Sequence, residues 1–178
     1  MSRTVARYNP EKGAVDWVMG TGQSATHMLV ITPDKSKIFT ANIASDTVTA
    51  INIAGNSSPT NIVQIAVGKL PEAIDVSPDG KELWVGQNGD GAISIIDPAT
   101  NKVKETFTVG KVPIRIKFTP DGNRVLVSDA TAGEFVVVDA RTRKEIKRVT
   151  VGGTPVGIQI QPDGKRAFVA LTGADTVK

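Results

Sequence analysis

The chain has 178 residues, 40% of them hydrophobic, and 21 lysines and arginines against 18 aspartates and glutamates give it a net charge of +3. Such proportions suit a globular domain with a sizeable core and argue against disorder. The absence of cysteine excludes disulfides, thiolate metal sites and cysteine nucleophiles, and no apolar run is long enough to predict membrane insertion.

The opening MSRTVARYNPEKG carries no apolar core of signal-peptide length. The expectation is a soluble chain whose compartment stays open. Residues 4–9 and 14–19 read as two short strands. Leu29 and Ile31 then share one face of a strand ahead of a Pro33-Asp34 turn. From Val67 the sequence reads VGKLPEAIDVSPDGKELWVGQNGDGAISIIDPATNKVKETFT, and a second copy begins 42 residues later at Val109. A third copy begins at Val151. Repetition near this period points to propellers or solenoids.

Four strands are predicted in each unit. In the reference copy they fall at residues 72–76, 81–85, 92–96 and 103–109. Ser77-Pro78-Asp79-Gly80 turns the first into the second, with proline fixing φ and glycine supplying a positive φ. Ile74 and Val76, Ile116 and Phe118, Ile158 and Ile160, and Leu29 and Ile31 share one face of the first strand. The third strand is apolar at nearly every position, which requires cover on both faces. The fourth is the most polar, as suits an outer edge. No helical period is sustained, so almost no helix is expected. These features predict an all-β chain, a β-propeller of four four-stranded blade equivalents of about 42 residues. Its single domain divides into a half blade (1–19), three blades (20–66, 67–108, 109–150) and a half blade (151–178). A two-sheet sandwich would not require each unit to repeat the last.

At the second strand the copies read FTAN (39–42), WVGQ (84–87), LVSD (126–129) and FVAL (168–171). Together with the glycine and proline ahead of the first strand, the SPDG-like turn and the aspartate ending the third, this chain resembles the YVTN-repeat β-propellers. They are related by fold to WD-repeat propellers and to the propeller domains of some lactonases and haem-carrying nitrite reductases. The resemblance covers essentially the whole chain and implies the fold. It also implies an extracellular or envelope-associated role for some members. Only the first tetrapeptide keeps the asparagine.

The two half blades are complementary, so pairing of first strands with last would close a ring and remove exposed edges. Three arrangements compete: a self-closed four-bladed monomer, an eight-bladed homodimer, or a piece of a larger propeller.

His27 and Glu72 open the innermost strand of their units, where Ile114 and Val156 stand in the others, and Arg115 follows Ile114. An imidazole and a carboxylate near the axis would serve as a metal pair with water or as an acid/base pair, and Arg115 would clamp an anion. Against this, a blade spacing of about 10 Å keeps such groups apart unless they lean inward. The plainer reading gives His27 a backbone partner, leaves Glu72 at a solvated channel mouth, and pairs Arg115 with Asp75 or Glu72. The loops at 42–46, 87–91, 129–133 and 171–175 hold carboxylates and amides, but glycine, asparagine and aspartate are what tight turns need, and no EF-hand pattern is present. Arg141, Arg143, Lys144, Lys147 and Arg148, interrupted by Glu145, read as a solvated outer strand and not a nucleic-acid surface. Nucleophile elbows, histidine pairs with metal-ligand spacing and phosphate loops are missing. The expectation is a non-catalytic scaffold or binding module that needs no cofactor and offers its faces or channel to a protein, glycan or small ligand. The alternatives are a metal-dependent lactonase-like hydrolase using His27 and Glu72, or a propeller unit without a ligand.

Overall fold

The computed structural model describes residues 3–54, 61–174 and 176–178, and among them seventeen strands and a single 3-10 turn at Ile43–Ser45. A two-stranded sheet comes first, β1 (Thr4–Asn9) with β2 (Ala14–Gly20). Three four-stranded antiparallel blades follow. The first holds β3 (Thr26–Ile31), β4 (Lys37–Asn42), β5 (Thr47–Asn52) and β6 (Ile62–Ala66). The second holds β7 (Pro71–Val76), β8 (Leu83–Gln87), β9 (Ala92–Asp97) and β10 (Lys102–Thr108). The third holds β11 (Pro113–Phe118), β12 (Arg124–Asp129), β13 (Glu134–Asp139) and β14 (Glu145–Thr150). Last come β15 (Thr154–Ile160), β16 (Ala167–Thr172) and a stub, β17 (Thr176–Val177).

The strands are meanders in sequence order, and the inner strands β3, β7, β11 and β15 stand side by side. This is the β-propeller of four blade equivalents that the repeat predicts. At the ends, β1 pairs with β2, and β16 pairs with β15 and with β17. Asp175, in the last of the candidate loops, lies outside the described residues.

Each core lies between blades, not within one. Ile74 and Val76 of the second blade pack with Met28, Val30, Phe39 and Ala41 of the first. Ile116 and Phe118 of the third pack with Ala73, Trp84, Ile93 and Ile95 of the second. Trp84 is fully buried and meets the edges of Phe107 and Phe118 at 5.5 and 5.4 Å. Its indole N–H donates to Glu82 at 2.9 Å, and Arg143 of the next blade lies 5.2 Å from the ring centroid. Arg143 also pairs with Glu82 and Glu105, and Arg148 with Glu134 and Glu145. Two of the five residues in the basic cluster thus form ion pairs, Arg143 across the blade boundary and Arg148 within its own blade.

One boundary departs from expectation. The second strand starts at Leu83 and runs through Gln87, where the sequence suggests 81–85. The turn is longer because Asp79 accepts the Lys81 N–H at 3.1 Å and Ser77 Oγ accepts the Glu82 N–H at 3.0 Å. Those donors are therefore spent on the turn and not the ladder.

Candidate axial site

The innermost strand of every unit is bulged at its entry. The register slips between Thr26 and Leu29, Pro71 and Ala73, Pro113 and Arg115, and Pro155 and Ile158. His27, Glu72, Ile114 and Val156 fall within these slips. A bulge leaves a residue outside the ladder and re-aims its side chain, so the same device displays one side chain per unit near the axis.

Three blades meet through Glu72. Arg115 Nη1 donates to Glu72 Oε1 at 2.8 Å, Asn88 Nδ2 donates to Oε2 at 2.8 Å, and His27 Nδ1 lies 3.4 Å from Oε1. Arg115 also donates to its neighbour's Ile114 carbonyl at 2.6 Å. The Glu72 and Arg115 side chains are 14% and 20% exposed, whereas His27 is 46% exposed. The side chains lean inward across the blade spacing, and of the two partners considered for Arg115 the structure supplies Glu72. Asp75 instead accepts the Phe118 N–H at 2.8 Å and faces Lys117 at 3.3 Å. Burial pushes the Asp75 carboxyl up, opposed by Lys117 and the Phe118 amide.

The loops around this mouth are held by their own polar residues. Asp46 accepts the Leu70 N–H at 2.8 Å and Asp90 accepts the Lys69 N–H at 2.6 Å, which pins the chain entering Glu72. Asp129 does the same for the third blade, accepting the Lys111 and Val112 amides at 2.6 and 3.0 Å. A Cβ on Gly110 would lie 2.1 Å from the Asp129 carboxylate oxygen, so a larger residue would displace that carboxylate from the amides it holds. In the first blade Asn42, fully buried, accepts from Thr26 and donates to Thr49, each at 2.8 Å. Thr49 passes the chain to Gln64, which donates to the Thr21 carbonyl at 2.8 Å. Gln87 donates to Ser94 in the second. The fourth tetrapeptide position is a buried polar anchor in three blades, Asn42 and Gln87 bonding to side chains of neighbouring strands and Asp129 to the amides of the entering loop, and it becomes Leu171 in the last. Sequence reasoning missed this anchor and Asn88; the recurring polar residue in an otherwise apolar strand was the available signal.

Among the described residues no group of three or more His, Asp or Glu side chains could hold a metal ion. The cluster offers one imidazole and one carboxylate whose two oxygens are both engaged, beside a guanidinium that would repel a cation.

The family described as YNCE-like beta-propeller matches residues 51–175 of the chain. No curated protein matches it. Among solved structures, hydrazine synthase from Kuenenia stuttgartiensis is 27% identical, with a TM-score of 0.77 over 85% of this chain and 44% of that one. Two candidate 6-phosphogluconolactonases are each 18% identical. The one from Bacteroides uniformis has a TM-score of 0.78, covering 94% of this chain and 57% of its own. The one from Bacteroides fragilis has a TM-score of 0.80, covering 98% and 58%. The chain thus spans about half the length of these proteins, and at 18% identity the likeness is one of fold.

Proposed function

Because the chain belongs to the YNCE-like β-propeller family, we propose that it is a non-catalytic scaffold whose axial mouth, at His27, Glu72 and Arg115, receives a protein, glycan or small polar ligand. The observation that supports this reading is the engagement of both Glu72 oxygens, by Arg115 and by Asn88. A carboxylate so used ties blades together, each of its oxygens already accepting a hydrogen bond and its charge already offset by Arg115. His27, the most exposed of the three, is the group left facing outward.

The competing reading is a metal-dependent lactonase-like hydrolase. It draws on the His27–Glu72 approach of 3.4 Å and requires Glu72 to release Arg115 before it can ligate a cation. Metal analysis of the purified protein, a lactone hydrolysis screen, and binding to glycan and peptide arrays separate the two. The scaffold reading expects no stoichiometric metal, no turnover, and array binding that is lost in His27→Ala. Stoichiometric metal and lactone turnover, both abolished by Glu72→Ala, would establish the hydrolase. Blank arrays with no turnover would leave a propeller unit without an axial ligand and refute the proposal.

A further inference from the structure

The axial mouth lies at the entries of the inner strands. At their exit ends, where the first turns of neighbouring blades stand side by side, the blade boundaries leave clefts of unequal size. Between the first and second blades the cleft holds about 280 Å³, and Lys37 crosses the boundary to donate to the Pro98 carbonyl and, at 3.4 Å, to Asn101. Between the second and third it opens to about 500 Å³. The walls of this larger cleft come from two complete blades, within residues 77–143, and do not depend on what flanks them.

Two changes across the boundary separate the clefts. Glu82 stands where the first blade has Lys37, and Arg143 stands where the second has Asn101. The reach is thereby reversed: Arg143 crosses to Glu82 and lies on the Trp84 ring. Its backbone shows what this requires. The last residue of the turn between third and fourth strands is left-handed in three copies, with φ of 62° at Gly13, 57° at Asn101 and 62° at Arg143. Glycine and asparagine take up that region readily, whereas an arginine is strained there. Strained residues of this kind gather at functional sites.

The polar groups of the cleft leave donors over. Glu82 accepts from Arg143 through one oxygen and from Trp84 through the other. Asp79 takes the Ser77 hydroxyl and the Lys81 amide, and Asp121 takes the Thr119 hydroxyl with the amide and side chain of Asn123. Arg143 spends Nε on Glu105 and Nη2 on Glu82, but its Nη1 is neither bonded nor buried. Lys104, 51% exposed, stands 3.9 Å from Glu82. The Arg141 side chain makes no hydrogen bond or ion pair among the described residues, and its charge acts through space on Asp139 of its own turn. With the acceptors engaged and donors open, the cleft is complementary to an anion.

We propose that this cleft binds a small organic monocarboxylate, its charged group held by Arg141 and the open Nη1 of Arg143 and its apolar body laid against Pro78 and Phe118. The volume is that of a small-molecule site, and arginine is the side chain whose fork matches a carboxylate. Lys81, Lys104, Arg141 and Arg143 face Asp79, Glu82 and Asp121 around the walls. So narrow an excess of positive charge suits one negative charge and opposes a phosphate dianion.

The test uses phenylacetate as probe, with phenylacetamide and inorganic phosphate as controls, read by calorimetry and by amide chemical shifts of the isotope-labelled chain. Phenylacetate should saturate a single site with a dissociation constant on the order of 1 mM and shift the amides of Phe118, Arg141 and Arg143. Arg141→Gln should weaken it about tenfold, and His27→Ala, at the far mouth, should leave it unchanged. Arg141 is exposed and its side chain unbonded, so the variant should fold; if it does not, Lys104→Gln carries the same readout. No saturation by about 20 mM phenylacetate, equal binding of either control, full binding by Arg141→Gln, or shifts confined to residues outside the cleft would each overturn the proposal.

Discussion

The Glu72–Arg115 contact decides whether the axial cluster is a structural tie or a pair of free functional groups, and it can be measured. Arg115→Met keeps the aliphatic stem and removes the guanidinium, leaving the Glu72 carboxylate, 14% exposed, without its 2.8 Å partner. Removing one member of a fully buried pair costs about 3–5 kcal/mol. Here Asn88 still donates to Oε2 and His27 stands 3.4 Å from Oε1, and both side chains keep some solvent, so the expected loss is about 1.5 kcal/mol. With a urea dependence of about 2 kcal/mol per molar, the unfolding midpoint should fall by about 0.7 M. Glu72→Gln with Arg115→Met closes the cycle, and the coupling should be about 1 kcal/mol. If Arg115→Met shifts the midpoint by no more than the measurement error and the two changes add, the pair is solvated. Arg115 would then be free to clamp an anion, and the argument that Glu72 is a blade tie fails.

Three further outcomes follow from the same structure. Trp84→Phe loses the Glu82 hydrogen bond and part of the Arg143 contact, and should cost about 2 kcal/mol, a fall in melting temperature of about 4–8 °C by calorimetry. Gly110→Ala drives a methyl into Asp129, whose carboxylate holds the Lys111 and Val112 amides. It should cost about 2 kcal/mol in urea unfolding, and a neutral result would mean that the loop yields. Acid unfolding followed by circular dichroism should track two carboxylates, Asp121 in a turn and Asp16 on β2. Asp121, through Thr119 and the Asn123 amide, and Asp16, through Arg7, are each held at about 2. Their contribution is present above the ordinary 3.8 and lost as pH falls toward 2. Asp75, raised by burial, runs the other way, its penalty easing as pH falls. A stability that does not decline below pH 4 would contradict the partners assigned to Asp121 and Asp16.

The blades were legible because their signals are local. Ser77-Pro78-Asp79-Gly80 builds its turn from its own atoms, with Ser77 Oγ donating to Asp79 at 2.7 Å and Gly80 at a φ of 72°. The apolar third strand likewise announces the cover it receives from blades on both sides. The second strand's start was less legible, since Lys81 and Glu82 look like strand residues until their amides are found committed to Asp79 and Ser77. The axial cluster was half legible. Position in the repeat singled out His27, Glu72 and Arg115, but whether they touch depends on the bulge at Glu72, and register between strands is a tertiary outcome. Asn88 read as a turn residue because its bond to Glu72 spans two elements.

The recurring slip at the entry of each inner strand separates what fills the axis from what holds the sheets. Positions 27, 114 and 156 stand outside the ladder pairings and carry no tie such as that of Glu72, so their side chains can vary in a way that those of Ile74 or Ile116 cannot. Randomising those three codons with Glu72 kept would yield a library of variant mouths on one frame.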